Sequence, residues 1–188
     1  MSRNLTTPLG QPVPREGRPE ATAVVAFGAN LGDREATIRA AAERIARLPL
    51  VSEVRLSPLI ETVALRLDGP DPDAPGYVNA AALVRTRLAP TILLGMLHAV
   101  EDEHGRERHE RWGDRTLDLD LIAYGDETSD DERLLLPHPR AAERLFVLEP
   151  WLALDADAEL PGYGRVADLV ARLRADEQSA QRPHAEDE

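Results

Sequence analysis

Arg111-Trp112-Gly113-Asp114-Arg115-Thr116-Leu117-Asp118-Leu119-Asp120-Leu121-Ile122-Ala123-Tyr124 joins a charged loop to a segment in which polar and apolar residues alternate. From Thr116 onward Asp118 and Asp120 fall on one side and Leu117, Leu119 and Leu121 on the other, the period of a half-buried strand. On a helix the two acids would diverge by about 200°. On a strand their Cα atoms lie roughly 6 to 7 Å apart on one face, so the carboxylates can converge on one divalent ion or bridge two. Arg106, Arg108, Arg111 and Arg115 precede or flank them. Carboxylates able to hold Mg2+, with guanidinium forks alongside, form the combination that a polyphosphate needs.

Upstream, Thr22 to Phe27 is a short apolar run that reads as a buried strand. Gly28-Ala29-Asn30-Leu31-Gly32-Asp33 then forms a turn, with Asp33 as N-cap of a helix from Arg34 to about Leu48. Ile38, Ala41, Ala42, Ile45 and Leu48 give that helix an apolar stripe. The glycines invite comparison with a nucleotide loop, but neither G-x-G-x-x-G nor G-x-x-x-x-G-K-[ST] is present, and a turn plus cap is the plainer reading. Val51 to Ser57 is a strand that Pro58 confines to an edge or a strand end. Arg66 to Gly76, with three prolines, two glycines and three aspartates, specifies a long loop, either a binding loop or a solvated connection.

Tyr77 to Leu88 reads as a long strand. Val78, Ala80, Ala82 and Val84 form a core face, and Tyr77 and Asn79 lie together on the other. That pair suits stacking on, and hydrogen bonding to, a flat heterocycle, or is simply a satisfied strand start. Pro90 opens a helix that runs to about His104 and stops at Gly105. On it His98 and Glu101 are surface neighbours, of interest only beside the arginine loop. After the acidic strand, Arg133 to Leu136 is the returning strand of a hairpin. It ends at Pro137-His138-Pro139, whose prolines restrict the backbone around His138, a functional candidate or a surface turn histidine. Arg140 to Leu148 is expected to be a helix ended by Pro150, with Arg144 outward. Val166, Leu169, Val170 and Leu173 mark a final helix.

The 188 residues suggest one domain, residues 21–175, between a leader (1–20) and an acidic tail (176–188), both expected to be disordered. A net charge of −12 argues against a nucleic-acid or anionic-membrane partner. No cysteine occurs, which excludes disulfides and thiolate chemistry. All 22 basic residues are arginine, so there is no Schiff-base or Walker-type lysine, and phosphate chemistry must rest on arginine, histidine and metal. No apolar run of membrane-spanning length and no signal-like start occur, and a cytoplasmic protein is expected. The order β-α-β-β-α-β-β-α-α suits an α+β fold of the ferredoxin-like kind, a mainly antiparallel sheet with helices on both faces in α-β-α layers.

Several ordered motifs together carry a resemblance. Arg111 to Leu121 resembles the signature of the 6-hydroxymethyl-7,8-dihydropterin pyrophosphokinase family, with Asp114 where proline is usual. The likeness extends over roughly residues 22–165, through Gly28 to Asp33, Ser57-Pro58 with Glu61-Thr62, Tyr77-x-Asn79-Ala80-Ala81, Glu101 with Gly105-Arg106, Pro137-His138-Pro139 and Arg144-x-Phe146. It implies transfer of pyrophosphate from ATP to the pterin hydroxymethyl group, releasing AMP. By that likeness Asp118 and Asp120 hold two Mg2+ ions, and Arg106, Arg108 and Arg115 neutralise phosphate charge. His98, Glu101, His138 and Arg144 attend the nucleotide, although glutamine is frequent where His98 stands. The pterin would stack between Tyr77 and Phe146 and bond to Asn79 and Thr62, with Trp112 closing over it. The segment Val63 to Leu67 lacks the Pro and Gly usual after the Glu-Thr pair. The partners implied are small molecules, ATP and the pterin, with no nucleic acid and no membrane, and the enzyme is expected to be a monomer. Two other classes fit parts of the pattern: a Mg2+-dependent phosphohydrolase, which would share the aspartate pair, and a non-catalytic ferredoxin-like binding module, which would need neither the pair nor the arginines.

Overall fold

The strand Ala21–Ala29 (β1) is apolar on both faces because it lies inside the sheet with helices above and below. The computed structural model describes residues 18–62, 64–66, 69–71, 76–105 and 116–180. After β1 come α1 (Arg34–Ala46), β2 (Val51–Leu56), β3 (Ile60–Thr62), β4 (Ala64–Arg66), β5 (Gly69–Asp71), β6 (Tyr77–Thr86), α2 (Pro90–Glu103) and β7 (Asp118–Tyr124). The chain continues through β8 (Ser129–Asp131), β9 (Leu134–Leu136), a 3-10 turn (Ala141–Glu143), α3 (Leu145–Leu154), β10 (Glu159–Leu160), β11 (Gly164–Arg165) and α4 (Val166–Ala180). No helix among the described residues is long and apolar enough to cross a membrane.

The main sheet has the order β2-β6-β1-β7, every neighbour antiparallel, and β3 pairs with β6 beyond the end of β2. With the short strands set aside, the succession β-α-β-β-α-β in that order is the ferredoxin-like arrangement. Two cores sit on opposite faces. Ala23, Val25 and Phe27 pack with Ile38, Ala41 and Ile45 of α1 and Leu93, Leu97 and Val100 of α2. Val24 and Ala26 pack with Val147, Leu148 and Trp151 of α3 and Leu169 and Val170 of α4. The sheet is thus the middle layer of three, as expected. Ala81 and Leu83, on the Tyr77 side of β6, belong to the second core, so that strand is buried on both faces.

Local signals account for the helix starts. Asp33 caps α1, its side chain accepting from the Ala36 N–H at 3.1 Å. Pro90 opens α2, and Gly105, with φ of 81°, follows its C-cap. Pro58 interrupts the strand edge, and Ser57 fills the gap: its N–H donates to the Ala81 carbonyl (2.9 Å) and its hydroxyl accepts from the Ala81 N–H (3.0 Å).

Several expectations are corrected. The segment from Arg140 is a 3-10 turn, then an extended Arg144, and only then α3. Pro150 lies inside α3 rather than ending it. An interior proline costs about 3 kcal/mol, but burial of Val147, Leu148 and Trp151 at about 1.5 to 3 kcal/mol each outweighs it. The Arg66 to Gly76 stretch holds the end of β4 and all of β5, which pair with each other, and the hairpin partner of Leu134–Leu136 is β8, within the polar segment. Helix α4 continues to Ala180, past the boundary at 175, because Gln178, Ser179 and Ala180 do not break it. At the other end Glu20 already bonds to Ser52 (2.6 Å) and pairs with Arg85, and Arg18 pairs with Glu127 over the Tyr124 ring.

Candidate active site

Asp118 and Asp120 lie on the sheet face shared with α3 and α4, as the alternation requires. Leu117 and Leu119 are buried beneath α1 and α2, while both acids are half-buried. Opposite them on β1 stand Gly28, paired with Asp118, and Ala26, paired with Asp120. Gly28 also pairs with Asn79 on β6. Directly opposed residues share a face, so Asn79, Gly28 and Asp118 form one row across three strands. A Cβ placed on Gly28 would sit 3.5 Å from Asn79 Oδ1 and 3.9 Å from Asp118 Cβ. The missing side chain therefore leaves a hollow between an amide and a carboxylate.

On β3, Ile60 stands opposite Asn79 and Thr62, two residues on, shares its face. Asn79 Nδ2 donates to Thr62 Oγ1 at 2.8 Å, and Thr62 pairs with Tyr77, which is half-buried. This bond fixes the amide orientation: with Nδ2 given to Thr62, Oδ1 faces the hollow above Gly28 as an acceptor. The structure thus brings Thr62, Tyr77 and Asn79 together beside the acids.

At the other end stand His138 and Arg144. The register of β7 on β1 shifts between Val24 and Val25, leaving Ile122 as the extra residue of a β-bulge. The Ile122 carbonyl accepts the His138 N–H at 2.8 Å, which seats the Pro137-His138-Pro139 turn against β7. The Leu136–Pro137 peptide is cis. His138 Nδ1 accepts the Arg140 N–H at 3.2 Å, so the neutral ring carries its proton on Nε2, which lies 4.0 Å from Asp120 Oδ2. Burial, opposed by Asp120 and assisted by Arg144 and Arg140, holds the His138 pKa below its ordinary value.

Arg144 faces inward, contrary to expectation. As an extended residue between the 3-10 turn and α3, it sends Nη1 to Asp120 Oδ2 at 3.4 Å, and its guanidinium lies 5.6 Å from the centre of the half-buried Phe146 ring. Burial lowers its pKa, but an arginine remains charged. Asp120 is thus held beside one cation and one neutral N–H donor.

Glu101 is not a surface neighbour of the exposed His98. It is 1 % exposed, and its Oε1 accepts the Leu119 N–H at 2.9 Å. β7 is an edge strand whose outward N–H finds its acceptor in Glu101, so Glu101 serves the strand carrying both aspartates. The expected roles of Arg106, Arg108, Arg111, Trp112, Asp114 and Arg115 fall on residues outside those described.

Two contributors are not marked in the sequence. There Gly28 reads only as the start of a turn. Arg34 reads only as a helix start, yet its Nη1 donates to the Gly76 carbonyl at 2.6 Å and its Nη2 lies 3.2 Å from Glu61 Oε1. No local pattern marks either, because both act through contacts remote in sequence.

Among the described residues no group of three or more His, Asp or Glu side chains is placed to hold a metal ion by itself. Two adjacent carboxylates nevertheless fit Mg2+, which binds through one or two carboxylates together with substrate phosphates and water.

Residues 24–156 match the model of the family described as 7,8-dihydro-6-hydroxymethylpterin-pyrophosphokinase. The chain is 40% identical over 152 residues to the 2-amino-4-hydroxy-6-hydroxymethyldihydropteridine pyrophosphokinase of Haemophilus influenzae, covering 81% of this chain and 92% of that protein. It is 42% identical over 147 residues to the protein of the same name from Pseudomonas aeruginosa, covering 78% of this chain and 88% of that one. A crystal structure of Plasmodium falciparum HPPK-DHPS with pteroate superposes with a TM-score of 0.63 at 14% identity, over 88% of this chain. The chain spans 45% of that longer protein, and this likeness bears on the fold alone.

Proposed function

The chain belongs to the 7,8-dihydro-6-hydroxymethylpterin-pyrophosphokinase family, and we propose that the Asp118–Asp120 face is where it transfers pyrophosphate from ATP to the hydroxymethyl oxygen of the dihydropterin. In that transfer the hydroxymethyl oxygen bonds to the β-phosphorus of ATP, and the bond from that phosphorus to the oxygen of the α-phosphate breaks. AMP leaves and the hydroxyl proton passes to solvent. The observation that carries the reading is the row Asn79–Gly28–Asp118, which sets an amide acceptor over a glycine directly beside paired carboxylates.

In this proposal Asn79 and Thr62 bond to the pterin edge, and Tyr77 and Phe146 supply the apolar faces against which the ring stacks. Asp118 and Asp120 hold Mg2+, as two ions, which neutralise charge on the triphosphate when bound. Arg144 and the Nε2–H of His138 meet phosphate oxygens, and the position of both against Asp120 supports their place there. Exposed His98 lies toward the nucleotide. Glu101 acts from beneath, through the β7 backbone, instead of touching the nucleotide. Arg106, Arg108 and Arg115 neutralise phosphate, and Trp112 covers the pterin. Rate enhancement comes from positioning and charge neutralisation, with no covalent enzyme intermediate. The enzyme acts as a cytoplasmic monomer on small diffusible substrates.

The test is incubation of the purified protein with Mg·ATP and hydroxymethyl-dihydropterin while AMP is followed. AMP that depends on the pterin is expected. Phosphate released from ATP without pterin would instead establish a phosphohydrolase, and absence of both would leave only a binding module.

A further inference from the structure

We infer that Arg34 is a positioning residue that holds the pterin end of the site in register, an inference that rests on the pterin assignment above. Three observations converge on it. First, Arg34 is fixed at its root: it is the first residue of α1, directly after the Asp33 cap and the left-handed Gly32 (φ of 64°). The turn it closes leaves β1 at Ala29, one residue beyond Gly28, the floor of the hollow. Second, its guanidinium spans two elements, donating to the Gly76 carbonyl at 2.6 Å and to Glu61 Oε1 at 3.2 Å. Gly76 precedes β6 and Glu61 lies in β3, so one planar fork ties the helix start to both strands that carry Thr62, Tyr77 and Asn79. Third, there is no slack at the junction. A Cβ on Gly76 would lie 3.0 Å from the Thr62 carbonyl oxygen and 3.6 Å from Arg34 Nη1, so backbone meets backbone only because residue 76 is glycine.

The contact to Gly76 is the decisive one. Glu61 is 72% exposed at its side chain, so that ion pair is screened by water, whereas Arg34 is 29% exposed and its bond to a fixed carbonyl sets position. Without it Tyr77, which lies beyond the β1 pairing that ends at Val78, is held to β3 only by its pairing with Thr62 and by the Asn79–Thr62 side-chain bond. Thr62 and Tyr77 then lose their fixed distance from Gly28. Asp118, Asp120, His138 and Arg144 lie at the other end and are untouched. The consequence is selective: pterin recognition weakens and nucleotide recognition does not.

The experiment compares wild type with Arg34→Met, which keeps the stem and removes the donors, and Arg34→Lys, which can reach one acceptor. Steady-state KM is measured for each substrate, and pterin binding is titrated directly by fluorescence with a non-reactive ATP analogue present. In Arg34→Met the KM and Kd for the pterin should rise roughly fivefold or more, with KM for ATP within about twofold of wild type. Arg34→Lys should fall between. Unchanged pterin affinity in Arg34→Met, or equal rises in both KM values, overturns the inference while the proposed function stands. Should Arg34→Met fail to fold, wild-type pterin affinity in Arg34→Lys overturns it. Wild-type protein that neither binds the pterin nor forms AMP overturns the proposed function first, and the inference with it.

Discussion

Glu101 of α2 and Leu119 of β7 are joined by a hydrogen bond of 2.9 Å from the Leu119 N–H to the buried Glu101 carboxylate. Leu119 lies between the two aspartates in sequence, so this bond fixes the backbone from which both project. Glu101→Ala removes the acceptor from a buried N–H and should lower the unfolding free energy by about 2 to 3 kcal/mol. Glu101→Gln keeps an acceptor oxygen and should cost about 1 kcal/mol or less. Urea unfolding midpoints separate the two, and equal losses would show that this bond is not what Glu101 contributes.

Asp118→Asn and Asp120→Asn preserve shape and remove charge. Each should lower kcat by roughly 100-fold or more without loss of thermal stability. In Asp120→Asn the Arg144 guanidinium loses its carboxylate partner and is freed toward phosphate, so ATP binding should suffer less there than in Asp118→Asn. Isothermal titration with Mg·ATP checks the order.

Gly28 tests the hollow. An added Cβ meets Asn79 and Asp118 at ordinary contact distances, so Gly28→Ala should fold normally. Gly28→Val extends further into the space and should raise KM for the pterin by about tenfold or more, leaving KM for ATP nearly unchanged. A valine variant with wild-type pterin kinetics would show that the ring does not lie over Gly28.

His138 gives the pH dependence. Its pKa is lowered in the folded protein, chiefly by burial, so above the unfolded value of about 6.5 the ring is neutral in both states and contributes no slope. Below that value the unfolded chain takes up a proton that the folded chain resists, and stability falls as the pH drops. In protein free of divalent cations, His138→Gln should therefore lose less stability between pH 7 and pH 5.5 than wild type does, as read by thermal unfolding at each pH. A parallel fall in both proteins would assign the acid sensitivity to other groups.

Much of this molecule is legible in its residues. The alternation from Leu117 to Leu121 places Asp118 and Asp120 on one face, because a strand's period of two admits no other arrangement. Asp33 and Pro90 set helix starts by chemistry that acts within one turn, and Tyr77 with Asn79 share a face for the same local reason. The succession of elements points to the ferredoxin-like order, and the ordered motifs to the family.

What local pattern could not supply is what each face meets. Arg144 and Arg34 each look like solvated helix residues, and only the fold brings one to Asp120 and the other to Gly76. Glu101 reads as a surface acid because a charge is expensive to bury. The open edge of β7, formed by strands distant in sequence, supplies the N–H that makes its burial tolerable. Pro150 reads as a helix stop until the second core is known to bury the residues around it. Local periodicity thus determined which side chains share a face. The tertiary structure alone decided which backbone groups and charges they oppose, because those partners arise only when separate strands and helices pack.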